Sequence, residues 1–345
     1  IARGKTNNRK AQGEIMGLMP CFSVIANETD ITSIISDLYE YISITDGTGY
    51  ESDTCEISLI DDPIRPIELP KKGAELRIFM GYDLAMVDMG LFIVSEVSLS
   101  GPPEKMVIRG RALPQLTSKS GMTSLSSQKT RSWPKGTTIS AVVSKIAKEH
   151  GLDSLVSEAV AQIKLPHFDQ SDESDLNFLL RIAKRYDAVC KPAGGKLLFV
   201  KRGDIDLPTL TLAKEEVSDW EMTSSTSDSA GTVIAYWHDK KGAKKHEVKV
   251  GDGEPVKRLR HTYQDEKSAY AAAQTSLDQA RRDEEKLSLN LPGNPQISAE
   301  MPITLVNFRE GIAGDWIVEQ CAHNIDKSVG FKTSVNGVKS LKEEE

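Results

Sequence analysis

Long apolar runs and a surplus of positive charge are both missing from this sequence. No stretch of its 345 residues approaches the roughly 20 consecutive apolar residues that a membrane-spanning helix needs. The net charge of −7 argues against a strongly basic nucleic-acid-binding protein. The first twenty residues begin with a basic, polar run and lack the roughly 7–15-residue apolar core of a secretory signal. The sequence therefore predicts a protein without a membrane anchor.

Cysteine is sparse and widely spaced. The chain has only Cys21, Cys55, Cys190 and Cys321, and no CxxC pair occurs. This spacing argues against a disulfide scaffold, a zinc ribbon and a thioredoxin-like redox pair. We expect four reduced and mostly buried thiols, as in a protein made in a reducing cytoplasm.

Motifs for phosphate or metal binding are missing or incomplete. No GxxxxGK[ST] loop is present, and residues 47–52 lack the third glycine of a dinucleotide fingerprint. The six histidines form neither an HxH nor an HExxH pair. His238 and His246 could lie opposite each other across a hairpin, but zinc takes three or four ligands and no third one is evident. We interpret them as surface histidines and predict no cofactor and no metal.

Adjacent carboxylates are the remaining candidates for catalysis, at Asp61-Asp62 and Glu215-Glu216. Glycoside hydrolysis needs two carboxylates about 5–10 Å apart across a cleft. Neighbouring residues of a strand instead point to opposite faces, and Asp61-Asp62-Pro63 is typical of a turn. No GxSxG elbow or clear Ser-His-Asp set occurs. We predict no catalytic residue and no enzyme activity, which favours a structural or interaction role.

What the chain does contain is mostly strand patterning. Cys55, Ile57 and Leu59 alternate with polar residues, and turn signals separate about five strands before residue 113. Strand-like runs return after residue 206, with a similar rhythm but no clean sequence repeat. The fold class is therefore α+β and mostly β. The predicted divisions are an N-terminal extension (1–19), a first β-rich domain (20–113), a linker with an inserted α+β module (114–205) and a second β-rich domain (206–345) with a long helix near 265–285.

The middle of the chain has helical periodicity. Residues 114–132 are polar and without periodicity, so we predict a linker or exposed loop there. An amphipathic helix begins near Ile139 and is capped by Thr137 or Thr138. A second helix is predicted from Glu173 to Tyr186, with acidic residues in its first turn. Its expected buried face is formed by Leu176, Leu179, Leu180 and Ala183.

Six stretches, in order along nearly the whole chain, together carry a family resemblance. They are DITSII (30–35) with GYESDT (49–54), LPKKGAEL (69–76) with MGY (80–82), MGLFIV (89–94) with LSGPP (99–103), WPKGTTI (133–139) with IAKEHGL (146–152), QSDESDLNFL (170–179), and GDWIV (314–318) with GFKT (330–333). A single one of these motifs is weak evidence for a family, whereas six motifs in the same order are specific evidence. The sequence resembles the late control D family, the baseplate hub proteins of contractile-tailed bacteriophages.

The resemblance implies two β-barrels of the tail-tube type with a helix-containing module between them. Three chains would form a homotrimeric ring of six barrels, which adapts a sixfold tail tube to a threefold central spike. The N-terminal half of the type VI secretion spike protein is similar, and there the spike is fused to the C-terminus. Here the chain stops shortly after the last predicted strand, so a separate spike protein is expected.

The resemblance also implies the other partners and the location. The protein would reside in the virion tail baseplate, assemble in the host cytoplasm, and contact the tail tube protein, other baseplate proteins and the tape-measure protein. DNA would pass through the lumen without specific binding. From the net charge we expect a neutral or acidic lumen wall, since a basic wall would retain DNA.

Two alternatives of another class stay open. One is a tail-associated cell-wall hydrolase, which would need a cleft with two perturbed carboxylates. The other is a carbohydrate-binding β-protein, which would need an aromatic platform. The tryptophans are isolated in the sequence, at Trp133, Trp220, Trp237 and Trp316.

Overall fold

The computed structural model describes most of the chain after residue 18. The described residues are 19–48, 53–112 without 63, 65, 72 and 84, and 125–340 without 126, 194–195, 203–207, 226–229 and 240–243. Strands dominate and five α-helices accompany them, in agreement with the predicted α+β, mostly β class. No described helix is long and apolar enough to cross a bilayer. The predicted extension at 1–19 lies almost wholly outside the described residues.

Residues 20–112 form a curled sheet that we call the first block. Its elements are β1 (Pro20–Ala26), β2 (Thr29–Asp30), α1 (Thr32–Ile35), β3 (Tyr39–Gly47), β4 (Thr54–Ile60), β5 (Glu75–Tyr82), β6 (Ala85–Ser100) and β7 (Lys105–Ala112). The strand order is β3-β4-β7-β6-β5-β1. Although β1 and β3 lie far apart along this path, the rings of Phe22 and Tyr39 are 4.9 Å apart. The sheet therefore curls like a barrel around one core, which includes Val24 and Ile42.

Residues 125–202 form a module with a hydrophobic core of its own. Its elements are β8 (Gln128–Trp133), α2 (Ile139–Glu149), β9 (Asp153–Val156), α3 (Glu158–Ala161), β10 (Phe168–Ser174), α4 (Asp175–Arg185), β11 (Ala188–Ala193) and β12 (Lys196–Lys201). Helix α2 is capped by the Thr138 hydroxyl, which accepts a hydrogen bond from the Ala141 amide. The helix predicted near Ile139 is thus confirmed.

Two predictions in the module are wrong in detail. The predicted linker contains strand β8, which pairs with β10; its residues are polar, so it lacks the alternation that marks a strand. Helix α4 begins at Asp175 rather than Glu173, because the Ser174 hydroxyl caps it and Glu173 still belongs to β10. Its fully buried face consists of Phe178, Leu179, Ile182 and Ala183, whereas Leu176 and Leu180 are only partly buried.

The remaining strands form a second block and a smaller sheet inserted into it. The elements are β13 (Leu210–Ala213), β14 (Asp219–Ser224), β15 (Thr232–Asp239), β16 (Lys244–Gly251), β17 (Val256–Tyr263), α5 (Glu266–Asp283), β18 (Glu285–Pro292), β19 (Pro302–Val306), β20 (Gly314–Asp326) and β21 (Gly330–Lys339). Helix α5 matches the long helix expected near 265–285. Its small residues, including Ala269 and Ala273, pack on the three-stranded sheet β16-β15-β17. Strand β17, rich in Lys and Arg, was not predicted.

The second block repeats the strand order of the first. Its order is β14-β18-β21-β20-β19-β13. Taken in this order, the strands correspond one by one to those of the first block, β3-β4-β7-β6-β5-β1. One pair differs: β13 runs parallel to β19, whereas β1 runs antiparallel to β5. The two blocks are therefore a structural repeat.

The repeat extends to individual residues, which goes beyond the similar rhythm without a clean sequence repeat that the sequence indicates. Gly90-Leu91-Phe92-Ile93-Val94 corresponds to Gly314-Asp315-Trp316-Ile317-Val318. Both glycines have left-handed φ angles, +113° and +115°. Each strand has a bulge directly after its valine, opposite Gly110 in β7 and Gly337 in β21. The loops between equivalent strands differ in length, so these short matches are not recognisable in the sequence. They are recognised only when the strand pairing is known.

The two blocks share one continuous sheet. Strand β20 of the second block pairs antiparallel with β3 of the first, from Gln320 opposite Gly47 to Asp326 opposite Tyr41. With β13 and β19 branching from β20, the sheet has thirteen strands among the described residues. Joining the blocks by backbone hydrogen bonds fixes their relative orientation.

Candidate assembly surfaces

The junction between the blocks shows how one block pairs with another. The first half of β20, at residues 314–317, pairs with β19, and its second half pairs with β3. In the first block β5 likewise pairs with β6 only up to Ile93. No described strand pairs with this side of β6 beyond Val94, or with the outer side of β14. In the repeat, β6 corresponds to β20, and β14 corresponds to β3. The two unpaired edges of the chain are therefore equivalent to the two strands that join its own blocks.

These two edges carry the groups that strand addition uses. An open edge offers a row of backbone N–H and C=O groups that another strand can pair with. Leu99, near the end of β6, is a large apolar residue that is 57% exposed. Its exposure on an otherwise polar strand end is consistent with a surface that a neighbour covers.

One face of the continuous sheet is mostly polar, although Ile60 and Val107 also lie on it. Side chains that point away from the cores, such as Ser43 and Ser334, follow one another across neighbouring strands. Charges of both signs occur on this face, with seven acidic and five basic side chains among them: Glu40, Glu56, Glu96, Asp219, Glu221, Glu319 and Asp326, and Lys105, Arg109, Arg111, Lys286 and Lys332. Several pair with each other, as Arg109 does with Glu56 at 2.6 Å. The face is broad, hydrophilic and close to neutral.

The module attaches to the blocks through ion pairs. Lys191 of β11 lies 2.5 Å from a carboxylate oxygen of Asp46 and 2.8 Å from one of Asp53, at the β3–β4 end of the first block. Asp187 pairs with Arg282 of α5 at 2.5 Å. Burial and the neighbouring Asp46 raise the pKa of Asp53, although Lys191 opposes the shift. Removal of Lys191 would leave two carboxylates close together in a buried site.

Glu300 is a third part of this attachment. Its carboxylate is buried, has no hydrogen-bond partner and lies 3.9 Å from the Arg202 guanidinium, which also approaches Glu319 at 3.4 Å. Burial raises the pKa of Glu300 to about 7, against the opposing charge of Arg202. Its backbone has a left-handed φ of +66°. Buried, strained and unsatisfied side chains are uncommon, and Glu300 combines all three features at the contact with the module.

A buried charged cluster lies inside the module. The Asp175 carboxylate is fully buried and accepts hydrogen bonds from Gln170 at 2.8 Å, Lys129 at 2.7 Å and Arg131, and it contacts His150 Nε2 at 2.8 Å. Burial alone would raise the pKa of Asp175, but these partners lower it to about 2. The carboxylate is therefore ionised and saturated with donors, an arrangement that holds β8, β10, α2 and α4 together.

This cluster is a poor candidate for catalysis. A His–Asp pair activates a nucleophile when the histidine has an adjacent hydroxyl or thiol and access to substrate. Here both residues are at most 1% exposed, and the carboxylate is already paired with Lys129 and Arg131. The cluster accounts for the QSDESDL motif: Gln170 and Asp175 supply the interior contacts, and Ser174 caps α4.

The carboxylate and histidine candidates from the sequence do not form a site. Asp61 and Asp62 each accept a backbone hydrogen bond in the loop after β4, as expected for a turn. Glu216 accepts one from the Ala213 amide. His238 lies opposite Lys245 and His246 opposite Trp237, so the two histidines are out of register and point to opposite faces. Within the described residues no cluster of three His, Cys, Asp or Glu side chains suits a metal ion.

The cysteines and tryptophans serve mainly in the cores. Cys55, Cys190 and Cys321 are buried and unpaired, and burial raises the pKa of Cys55 and Cys190 to about 12. Trp133 and Trp316 are buried, and Trp220 packs edge-on against Phe308 with ring centroids 5.8 Å apart. Trp237 is likewise partly buried and stacks on His246 at 4.6 Å. The residues described do not form the platform that a carbohydrate-binding protein would use. Most of residues 47–52, the glycine-rich turn, lie outside the described residues.

Comparison with known proteins identifies the family. The family model described as "Phage tail baseplate hub (GPD)" matches residues 115–329. The chain belongs to the phage tail baseplate hub family. A probable baseplate hub protein of Escherichia phage 186 is 29% identical over 92% of each chain.

Solved structures agree with the fold. The 43 kDa tail protein of prophage MuSo2 from Shewanella oneidensis has a TM-score of 0.71 at 13% identity, with 93% of this chain and 98% of that chain covered. An E. coli component of the type VI secretion system has a TM-score of 0.54 at 9% identity, with 95% and 77% covered. This baseplate hub protein is therefore a structural component of the phage tail baseplate, as the resemblance predicted.

Sequence reasoning missed the residues that hold the hub chain together. Lys191, Arg202, Arg282 and Glu300 lie far apart in the sequence and meet only through the fold. From the sequence, Asp175 is only one of the acidic residues in the first turn of the predicted helix. The one available signal is the pair of basic residues Lys129 and Arg131 in the polar stretch before Trp133.

Proposed function

We propose that three copies of this chain close into a ring that joins the sixfold tail tube to the threefold central spike of a contractile phage tail or a phage-derived injection particle. The observation that carries the proposal is the repeated block with one internal junction and two open counterparts of that junction. Three chains contain six blocks, and repeating the β20–β3 junction between chains uses both open edges of every copy. Closed rings with identical interfaces are the common form of homo-oligomers.

The internal junction supplies the register of the proposed contact between chains. Since β20 corresponds to β6 and β3 to β14, the pair Ala322–Thr45 corresponds to Ser98 of one copy opposite Thr223 of the next. The pair His323–Ile44 corresponds in the same way to Leu99 opposite Met222. The exposed Leu99 would then be covered by an apolar partner, which adds to the backbone pairing.

The two ends of the sheet support a polarity for the ring. The module follows the end of β7, and the inserted sheet leaves between Ser224 and Glu285, at the same end of the continuous sheet. The connections at the opposite end recur in both blocks: the turns at 101–104 and 327–329, and the loops that follow β4 and β18. Features present once per chain occur three times in the ring, whereas turns present in both blocks occur six times. We assign the module-bearing end to the spike and the turn-bearing end to the tail tube.

The polar face of the sheet suits the channel wall. With seven acidic and five basic residues it is close to neutral and weakly acidic, as expected for a lumen that DNA and the tape-measure protein traverse without being held. Because the hydrophobic cores lie on the other side of the sheet, the curvature of a closed ring would place this face on the inside of the ring. The remaining surfaces would contact other baseplate proteins, and assembly would take place in the host cytoplasm. In this proposal the protein acts without catalysis, so a hydrolytic activity would have to come from another protein.

The oligomeric state of the purified hub chain tests the proposal. Native mass spectrometry, alone and with the tube and spike proteins of its particle, should give a species of three chains, about 114 kDa from 37.9 kDa each. Ring closure can depend on the spike, so the mixture is the decisive sample. Dimers or tetramers alone, in both samples, would contradict the ring.

A further inference from the structure

The sheet inserted into the second block has a concentration of positive charge that the net charge of the chain hides. Strands β16 and β17 carry six basic residues and a single acidic one, Glu247, although the whole chain has a net charge of −7. The six, all exposed, are Lys244, Lys245, Lys249, Lys257, Arg258 and Arg260. None of them forms an ion pair with an acidic residue in the described part of the chain, whereas most interior basic residues of the module do.

Aromatic side chains lie among these cations. The Lys245 ammonium lies 3.8 Å from the ring centroid of Tyr236, and the Arg258 guanidinium donates a hydrogen bond to the Tyr236 hydroxyl at 2.9 Å. These three residues share the face of the sheet that points away from α5. On the opposite face of the same hairpin, Trp237 and His246 stack at 4.6 Å. We call the sheet of β15, β16 and β17, which carries these cations and rings, the basic sheet.

We propose that the basic sheet binds the sugar–phosphate backbone of a nucleic acid, without reading its sequence. Grooves that combine unpaired Lys and Arg with exposed aromatic rings are typical of single-strand binding, where bases stack and phosphates are neutralised. The abundance of lysine favours this partner over an acidic protein, because lysine is depleted at protein interfaces, whereas phosphate neutralisation uses Lys and Arg alike.

In this proposal two surfaces of the chain differ in their affinity for nucleic acid. The polar face of the continuous sheet is nearly neutral, whereas the basic sheet is an insertion between β14 and β18 and lies outside that face. The contact between Arg185 of the module and Tyr263, at 5.2 Å, holds the basic sheet beside the module. Nucleic acid could therefore be held at the module-bearing end without being retained along the polar face.

Salt-dependent DNA binding tests the proposal on the full chain. We would measure fluorescence anisotropy of a labelled 20-nucleotide mixed-sequence single strand and of its duplex from 50 to 200 mM salt. With three or four phosphates neutralised, we expect binding to weaken roughly 20- to 100-fold over this range. In K245A/K249A/R258A the slope of log affinity against log salt should fall by roughly two, with at least a tenfold loss of affinity at 50 mM.

A charge-matched variant separates this site from general attraction. K148A/K184A/K214A also removes three positive charges, from exposed lysines outside the basic sheet, and should retain the affinity within a factor of two. Unchanged melting temperatures would show that both variants are folded. No binding by the natural chain at 50 mM salt, an equal loss in the two variants, or equally tight binding of polyglutamate would each overturn the proposal; the last would identify an acidic protein segment as the partner.

Discussion

The two blocks of the hub differ most at two equivalent positions. In the first block a short connection of residues 48–53 joins β3 to β4, whereas between β14 and β18 of the second block the chain inserts the basic sheet and α5. Gly73 and Glu300 form the second pair, since the amide of each donates to the equivalent valine carbonyl, Val94 or Val318. The repeat thus conserves strand order, bulges and backbone bonds, while its insertions and side chains distinguish one block from the other.

The Gly73–Glu300 pair shows how a repeated backbone position acquires a new role. Both residues have a left-handed backbone, with φ of +82° and +66°. Glycine adopts this conformation without strain, whereas a residue with a side chain loses about 1–2 kcal/mol. In the second block the strained residue has a carboxylate, which lies 3.9 Å from the guanidinium of Arg202 in the module. The module therefore contacts the two blocks through different residues, Lys191 with the first block and Arg202 with the second.

The largest effect is expected from breaking the module, which lies outside the repeat. Leu179→Asp puts a carboxylate into its fully buried core and should destabilise it by about 3–5 kcal/mol. Hydrogen exchange should show loss of protection in α2, α4 and β11–β12, while the two blocks keep theirs. Asn177→Asp, an exposed position on the same helix, is the matched control. Unchanged stability of Leu179→Asp would show that our assignment of the buried helix face is wrong.

The next effect is a pH dependence that arises from Glu300, at a position where the first block has glycine. The folded-state pKa of Glu300, about 7, lies above the unfolded value of roughly 4.3. Its contribution to stability is therefore fully present below about pH 4 and is lost as the pH rises through 7. The loss should be on the order of 2–3 kcal/mol, measured as the free energy of unfolding in urea at pH 5 and pH 8.

Two substitutions separate charge from backbone strain at this position. Glu300→Gln should flatten the dependence between pH 5 and 8, and Glu300→Gly should flatten it and add about 1 kcal/mol by removing the left-handed strain. Glu319→Gln, which removes the half-exposed second partner of Arg202, is the control and should leave the slope in place. If Glu300→Gly destabilised the protein more at pH 8 than at pH 5, the ion pair with Arg202 would outweigh burial and our explanation would be wrong.

The smallest effect tests the equivalence of the blocks directly. Gly90→Ala and Gly314→Ala should each destabilise by about 1–3 kcal/mol, because both positions have φ near +115°. Space is not limiting, since an added methyl group would meet nothing within 4 Å at Gly314 and only the Phe92 ring at 3.8 Å at Gly90. The two losses, measured by chemical denaturation, should therefore be similar. A large loss at one glycine and none at the other would argue against the residue-level repeat.

The sequence predicted the elements whose side chains alternate between core and solvent. Cys55, Ile57 and Leu59 indicated β4, and the periodicity after Ile139 indicated α2. It failed where polar residues form strands: β8 has inward-facing charges that pair with Asp175, and β17 is an exposed strand rich in Lys and Arg. In neither case does hydrophobic alternation mark the strand.

The candidate surfaces were less accessible from the sequence than the fold. Open edges, a shared polar face and a junction between blocks depend on which strands are neighbours, and strand pairing cannot be derived from the periodicity of single strands. The family resemblance predicted a hub and its assembly. The residues that would join one copy to the next, such as Ser98 and Thr223, follow only from the β3–β20 register.

Disulfide cross-linking between copies tests the central claim most directly. In a Cys21→Ser background, which removes the one thiol that is not buried, Ser98→Cys and Thr223→Cys would face each other at a cross-strand distance that a disulfide can span. Mild oxidation of the assembled hub should give covalent dimers and trimers. Ser98→Cys with Met222→Cys is the control, because its two side chains would lie on opposite faces. Covalent trimers from the first pair and not the second would agree with our account. A trimer by native mass spectrometry without this cross-link would retain the ring and overturn its register, and equal cross-linking of both pairs would contradict the junction.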